Sequence, residues 1–215
     1  MSFGGYIGDH LSSLLFDAYQ HVSAVVQSMI LATIIGVLIG ILVYRSPLGS
    51  GIATALTSAI LTIPSFALIG LLIPVLGLGV RPTITALVLY ALLPLVRNTI
   101  VGLDSVDPSI TNAARGIGMN RVRVLGQVEL RLAWPSILAG MRVATQLLMG
   151  IAAIAAYAKG PGLGVHIFSG LSQIGSANAV SNVAAGTIGI VVFALILDGI
   201  LVLIGRFTIS RGIRV

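Results

Sequence analysis

The chain has 215 residues, of which 57% are hydrophobic and only 8% are charged, and its formal net charge at pH 7 is +6. Soluble domains carry about 25% charged residues, so this composition excludes an ordinary soluble domain and indicates a protein of the lipid bilayer. The sequence contains no cysteine, which excludes disulfides, thiolate catalysis and cysteine-ligated metal.

The first 21 residues precede any long apolar run and lack the basic start of a secretory signal peptide. We therefore expect that they are not a cleaved leader. We assign residues 1–21 to an N-terminal segment outside the bilayer, residues 22–205 to a transmembrane domain, and residues 206–215 to a C-terminal tail.

Five segments are long and apolar enough to cross a membrane as helices. Each has 21 to 25 residues, which as a helix measure about 32–37 Å against a hydrocarbon core of about 30 Å. The five segments are Val22–Tyr44, Ile52–Leu76, Thr83–Leu103, Pro135–Tyr157 and Val183–Gly205. The sequence thus predicts an all-α, polytopic membrane protein with about five transmembrane helices.

The second of these spans contains the triplet Pro64-Ser65-Phe66. Proline removes a backbone hydrogen bond and permits a kink. Two interpretations of the triplet stay open: a kinked helix that lines a gate in a translocation path, or an ordinary packing kink. Pro74 and Pro94 interrupt the second and third spans in the same way.

The segment 104–131, between the third and fourth spans, is polar and basic. Asp107-Pro108 is a typical helix start, with aspartate as the N-cap and proline at the first helical position. Gly118 fits a left-handed helix stop, and Asn120 can cap a second helix. The apolar residues spaced at i, i+3, i+4 and i+7 in the first helix are Ile110, Ala113, Ala114 and Ile117. We predict two short helices outside the bilayer, the first with an apolar face to which a partner can bind.

Basic residues indicate the orientation, because arginine and lysine accumulate in cytoplasmic loops. With segment 104–131 in the cytoplasm, eight arginines lie inside, and only Arg81 and Lys159 lie outside. The eight are Arg45, Arg115, Arg121, Arg123, Arg131, Arg206, Arg211 and Arg214. We expect a multi-pass protein of the cell membrane with its N-terminus outside and its C-terminus in the cytoplasm. The positive charge follows this rule, so we expect no nucleic-acid partner.

Three charged residues, Arg97, Arg142 and Asp198, lie inside the predicted spans. Each is about five to seven residues from the cytoplasmic end of its span, which corresponds to a depth of roughly 8–11 Å. Charges at this depth usually face the bundle interior or a water cavity, and they often pair. Two interpretations stay open: the three residues line an inward-facing path, or the arginines snorkel and one ion pair forms with Asp198.

The sequence contains no motif of an enzyme or a cofactor site. The run GPGLG at 160–164 lacks the Lys-Ser/Thr ending of a phosphate loop, and we interpret it as an outer turn before a re-entrant or interfacial segment. His10, His21 and His166 fit no metal-ligand spacing. We therefore expect no catalytic residue, no cofactor and no metal.

Segment 104–131 resembles the EAA loop of permease subunits in binding-protein-dependent ABC importers. The family motif is Glu-Ala-Ala, three residues, Gly, nine residues, an aliphatic residue, any residue, and Leu-Pro. The corresponding residues here are Asn112-Ala113-Ala114, Gly118, Val128 and Leu130-Arg131. The spacing matches, but Asn112 stands in place of the glutamate and Arg131 in place of the proline.

Three further stretches are similar to the osmoprotectant branch of this family, which imports glycine betaine, carnitine, choline and related solutes. They are TIPSFALIGLLIPVLGLG (Thr62–Gly79), LYALLPLVRNTIVGLDSVDPSI (Leu89–Ile110) and GPGLGVHIFSGL (Gly160–Leu171).

The resemblance implies the type I ABC importer permease fold and a transport subunit that performs no catalysis itself. Besides the lipid bilayer, it implies a cytoplasmic ABC ATPase, a second permease copy or homologue, and an extracytoplasmic solute-binding protein. The first helix of segment 104–131 would then be the coupling helix, seated in a groove of the ATPase. The residues matched to this coupling role are Asn112, Ala113, Ala114, Arg115, Gly118 and Arg121.

The scarcity of aromatic residues bears on solute recognition. A quaternary ammonium is best recognised by an aromatic cage, and aromatic residues make up only 6% of the chain, so we expect the binding protein to select the solute. Three alternatives stay open. The chain could be a permease for an amino acid or another small solute in the same family, an ion-driven secondary transporter that uses the charged residues inside the spans, or a membrane assembly subunit without transport.

Overall fold

The computed structural model describes residues Phe3–Ile209, and all regular elements within that range are helices. Arg211 and Arg214, which we expect in the cytoplasmic tail, lie outside the described residues. The elements in chain order are α1 (Phe3–Val43), α2 (Pro47–Thr62), α3 (Ser65–Leu76), α4 (Val80–Asp104), α5 (Pro108–Gly116), α6 (Arg121–Val124), a π-helical turn (Leu125–Glu129), α7 (Leu130–Ala155), a 3-10 turn (Ala156–Ala158), α8 (Gly164–Ser172) and α9 (Ala179–Thr208).

Four of the five expected spans lie in continuous helices that are long and apolar enough to cross a membrane. These helices are α1, α4, the unbroken run Arg121–Ala158 and α9. The segment between the fourth and fifth spans, which we predicted to be re-entrant or interfacial, contains the short helix α8.

The prediction that the second span, Ile52–Leu76, is a single helix is wrong. It is divided into α2 and α3, which are bent by 94° relative to each other. Because Pro64 disfavours helical backbone at the residue before it, Ile63 is extended, with φ −68° and ψ 127°. Pro74 and Pro94 remain inside α3 and α4, so only Pro64 of these three prolines interrupts a helix. The bent pair accounts for a fifth crossing if it is counted as one span.

Helix α1 is 41 residues long, which corresponds to about 60 Å, or twice the hydrocarbon core. Its residues 3–21, which we assigned to the N-terminal segment, are therefore helical and continuous with the first span. Two polar contacts hold this part of α1 against the C-terminal half of the chain. The Tyr6 hydroxyl donates a hydrogen bond to the side-chain oxygen of Asn182, and His166 Nε2 lies 2.9 Å from Asp17 Oδ2.

Helix α4 is the centre of the bundle and packs between α1 and α7. Small residues permit the close approach of these helices. A Cβ atom built at Gly36 of α1 would lie 2.7 Å from Leu95 Cβ, and one built at Gly140 of α7 would lie 2.8 Å from Asn98 Cβ. Larger residues at either glycine would force α4 away from its neighbour.

Candidate functional site

Helix α5 begins where the sequence predicts. The side chain of Asp107 accepts a hydrogen bond of 2.7 Å from the backbone N–H of Ser109, and Pro108 is the first helical residue. The hydrogen bonds from Ser109 lower the pKa of Asp107 below its usual range. The predicted aspartate N-cap is confirmed.

Helix α5 also ends where the sequence predicts. Gly118 has a φ of 91°. Its N–H donates to the carbonyl of Arg115 at 2.9 Å, and the N–H of Met119 donates to the carbonyl of Ala114 at 3.1 Å. These two bonds form a Schellman motif, in which the residue at the Gly118 position adopts positive φ. The predicted left-handed stop is confirmed.

The second helix of the loop begins as predicted but does not end within the loop. Asn120 caps it, since its side-chain oxygen accepts a hydrogen bond of 2.9 Å from the N–H of Arg123. The helix then runs through α6, the π-helical turn, α7 and the 3-10 turn as one piece of 38 residues, Arg121–Ala158. The prediction of a separate second loop helix is therefore wrong. Only one glycine and no proline separate the cap from the fourth span, so nothing in the sequence forces the helix to stop.

Most residues matched to the coupling role lie on the surface. The exposed ones are Asn112, Ala113, Arg115, Gly118 and Arg121. Two large apolar side chains beside them, Ile117 and Val122, are 82% and 79% exposed. Ala114 differs, because it is the buried residue of α5, which packs against α6 and the π-helical turn. The prediction that the stripe as a whole faces a partner is wrong at Ala114, because α6 and the π-helical turn cover that residue while Ala113 stays exposed.

A polar cluster that the sequence analysis did not identify joins the base of this loop to the end of α1. We call Tyr44, Arg45 and Glu129 the Glu129 cluster. Glu129 is 5% exposed and accepts a hydrogen bond of 2.7 Å from the Tyr44 hydroxyl. Arg45 Nη2 lies 3.2 Å from both carboxylate oxygens of Glu129, and the Arg45 guanidinium lies 5.0 Å from the centre of the Tyr44 ring.

The chemistry of the Glu129 cluster is that of a fixed anchor. The Tyr44 hydroxyl donates to Glu129 Oε2 and the Arg45 guanidinium pairs with the same carboxylate, so the buried charge is satisfied from the end of α1. One sequence signal could have identified the anchor, because Glu129 is the only carboxylate in the basic segment 108–134. Its partners precede it by about 85 residues, and no spacing rule connects them.

The residues predicted to line a gate lie at the break between α2 and α3. The hydroxyl of Tyr90 on α4 donates a hydrogen bond of 2.6 Å to the carbonyl of Ile63, which satisfies a backbone acceptor that the break leaves without a helical partner. Ser65 begins α3, and no side chain caps the first amides of that helix. The Phe66 ring is 50% exposed and contacts the Tyr157 ring, with the ring centroids 4.5 Å apart.

The structure brings together two of the three charged residues inside the spans. Arg142 on α7 makes a bidentate ion pair with Asp198 on α9, with an Nε–Oδ1 distance of 2.7 Å and an Nη2–Oδ2 distance of 2.8 Å. The Arg142 and Asp198 side chains are 42% and 19% exposed. Arg97 on α4 is exposed and forms no ion pair with any residue in the range 3–209. The pairing alternative for Asp198 is thus the one observed.

His10 contacts Tyr6 in its own helix, whereas the other two histidines make contacts between helices. Besides the His166–Asp17 contact, His21 Nε2 lies 3.1 Å from the carbonyl oxygen of Met149. Within the described part of the chain, no group of three or more His, Cys, Asp or Glu residues could hold a metal ion.

Comparison with known protein families gives one match over most of the chain. Residues 32–209 match the family described as "Binding-protein-dependent transport system inner membrane component". The chain is 37% identical to the osmoprotectant import permease protein OsmW of Salmonella typhimurium, over 97% of this chain and 98% of that protein. It is 33% identical to the choline transport system permease protein OpuBB of Bacillus subtilis, over 94% of this chain and 91% of that protein. It is 32% identical to the glycine betaine/carnitine/choline transport system permease protein OpuCB of the same organism, over 94% of this chain and 91% of that protein.

Solved structures of the MetNI methionine ABC transporter in inward-facing conformations have a similar fold. One matches with a TM-score of 0.76 and 18% identity over 96% of this chain and 99% of the other. A second crystal form matches with a TM-score of 0.73 and 20% identity over 94% and 96%. The expected fold, that of a type I ABC importer permease, is confirmed.

Proposed function

The chain belongs to the family of binding-protein-dependent transport system inner membrane components, and from this premise we propose that it carries a compatible solute of the glycine betaine, carnitine and choline type. Two relatives whose names print these solutes, OpuBB and OpuCB, align over more than nine-tenths of both chains. The chain is a transport permease subunit, and we assign the hydrolysis of ATP to a partner chain.

The structure of α5 is the observation that carries the assignment of ATP hydrolysis to a partner chain. It is a short helix with fixed ends and an exposed, partly apolar surface. Exposed apolar surface of this kind marks an interaction site. The helix is joined through the turn at Gly118 to a helix that crosses the bundle. A partner that moves α5 therefore acts on α7 directly, and through the Glu129 cluster on α1.

We assign the α5 side of the molecule to the cytoplasm, which places the N-terminus outside. In this orientation α5 meets a cytoplasmic ABC ATPase, and α8 lies on the side from which an extracytoplasmic binding protein delivers the solute. A second permease copy, or a homologous permease, completes the path. Closure of the ATPases on ATP then moves the coupling helices and switches the path between outward and inward access.

The rival assignment, an ion-driven secondary transporter, finds little support in the charged residues. Such a mechanism needs a carboxylate inside the spans that can release and take up an ion. Asp198 is held by both prongs of the Arg142 guanidinium, which satisfies both of its oxygens. Glu129, near the end of the fourth span, is likewise occupied by Tyr44 and Arg45.

Purification of the tagged chain from its own cells in mild detergent tests this function. We expect an ABC ATPase to co-purify in stoichiometric amount. After reconstitution with that ATPase and the binding protein, uptake of glycine betaine or choline should require ATP. Uptake by the chain alone, driven by an ion gradient, would overturn the proposal.

A further inference from the structure

Aromatic residues make up only 6% of the chain, yet three of them meet at one point in the structure. Phe66 lies in the first turn of α3, Tyr157 in the 3-10 turn after α7, and Phe168 in α8. The ring centroids of Phe66 and Tyr157 are 4.5 Å apart with a tilt of 52°, and those of Tyr157 and Phe168 are 5.8 Å apart with a tilt of 56°. We call these three residues the aromatic cluster.

Two of the three rings of the aromatic cluster are exposed. Phe66 is 50% exposed and Tyr157 is 65% exposed. A small cavity beside these two rings has an apolar wall and no charged side chain in its lining. The other residues of that wall are Ile69, Gly70, Ile73, Ile154 and Ala158. Apart from the Tyr157 hydroxyl, the side chains at this point offer no hydrogen-bond donor or acceptor.

This surface suits one kind of cation in particular. A quaternary ammonium group has no N–H, so it needs no hydrogen bond when it leaves water, and the negative face of an aromatic ring attracts it. A primary ammonium or a sugar would lose hydrogen bonds to water and find no replacement in this apolar wall. Phe66 and Tyr157 are both exposed and their ring centroids are 4.5 Å apart, so one methylated ammonium beside them can contact both rings.

We propose that the aromatic cluster is a binding subsite for the quaternary ammonium group of the transported solute. The inference rests on the proposed function, because the relatives' names supply the solute class, and it adds a recognition step within the permease itself. The scarcity of aromatic residues by itself favours selection by the binding protein, because the sequence gives no sign that rings about 90 positions apart meet. The break at Pro64 places Phe66 opposite the end of α7, so the cluster exists only because the second span is not a single helix.

An aromatic belt at the membrane–water interface is the ordinary alternative for exposed rings near the ends of spans. The two ideas make different predictions. A belt anchors the protein and does not distinguish between solutes, whereas a cation–π subsite prefers choline to its uncharged isostere, 3,3-dimethyl-1-butanol.

The test uses the permease–ATPase complex in lipid nanodiscs without the binding protein. Saturation-transfer NMR would measure magnetisation received by the methyl groups of choline and of 3,3-dimethyl-1-butanol. The variants are Tyr157→Leu and Phe66→Leu, with Tyr157→Phe as the variant that keeps the ring. Phe16→Leu is the matched control, since Phe16 is also an exposed aromatic (59%) and has no ring contact with the cluster.

We expect the choline signal of each leucine variant at the cluster to fall by about 2- to 5-fold, the factor that an exposed cation–π contact provides. Tyr157→Phe and Phe16→Leu should keep it, and the isostere should bind weakly to all variants. Equal choline signals in Tyr157→Leu, Phe66→Leu and Phe16→Leu would overturn the inference, as would equal binding of choline and its isostere to the unmodified complex.

A parallel uptake assay with the unmodified binding protein separates the two proposals. If the unmodified complex imports neither choline nor glycine betaine, the proposed function fails. If it imports them and the leucine variants at the cluster do so as fast as Phe16→Leu, the subsite alone fails.

Discussion

Gly118→Val tests whether α5 transmits the work of an ATPase to the spans. Gly118 closes the Schellman motif with a φ of 91°. Left-handed backbone costs an L-residue roughly 1–2 kcal/mol, and a β-branched residue there is a genuine outlier. No heavy atom lies within 4 Å of a Cβ built at Gly118, so valine acts through the backbone and not through a clash. A cost of about 1–2 kcal/mol lowers the equilibrium ratio of the native to the non-native end of α5 roughly 5- to 30-fold.

The assay compares membrane abundance, co-purification of the ATPase, and solute-stimulated ATP hydrolysis. We expect Gly118→Val to insert normally, because it lies outside the spans, but to retain little ATPase and to lose most of the stimulated hydrolysis and uptake. Gly118→Asn should keep more of both, since asparagine tolerates positive φ better than valine does.

Gly116 supplies the matched control for this experiment. It is the last residue of α5, it does not have positive φ, and a Cβ there also meets nothing within 4 Å. Valine is a better helix former than glycine, so Gly116→Val should leave coupling intact. If Gly118→Val and Gly116→Val support equal uptake with the ATPase still bound, α5 is not the coupling element.

Three further predictions concern orientation and anchoring. In this cysteine-free chain, Arg121→Cys should react with an impermeant thiol reagent only from the cytoplasmic side and Ser172→Cys only from outside; the opposite pattern in intact cells would reverse the orientation. Glu129→Gln should lower the free energy of unfolding of the purified protein by about 1–3 kcal/mol, because a hydrogen-bonded charge is lost. An unchanged melting temperature in detergent would show that the Glu129 cluster is not an anchor. Arg142→Asp should reduce the amount of folded protein in the membrane, as judged by size-exclusion profiles. Adding Asp198→Arg to the same chain should restore it. A double variant that folds as poorly as the single variant would show that the ion pair does not hold α7 to α9.

The features that the sequence predicts correctly are those with local causes. A hydrocarbon core selects apolar segments of a fixed length, so four spans follow from composition and length alone. The ends of α5 also depend on near neighbours, since Asp107 caps an amide two residues later and the bonds around Gly118 close within six residues. Such signals need no knowledge of the rest of the chain.

The features that the sequence did not predict depend on distant contacts. Three prolines lie in the second and third spans, but only Pro64 interrupts a helix. At that break, Tyr90 from another span satisfies the carbonyl of Ile63. Glu129 finds its partners about 85 positions earlier in the chain. In each case the partner comes from a distant part of the chain, and no periodicity within a single segment encodes that contact.

The two proposed sites of this molecule share one helix. The run Arg121–Ala158 is continuous over 38 residues, which corresponds to about 57 Å. At one end it follows the turn at Gly118, and at the other end it carries Tyr157, whose ring contacts Phe66 on a different helix. No flexible linker lies between these ends to absorb a displacement, so a partner that shifts α5 also shifts one ring of the aromatic cluster. Coupling free energies are reciprocal. If docking at α5 changes the affinity of the cluster for a quaternary ammonium, the bound solute must therefore change the affinity of the permease for its ATPase by the same factor.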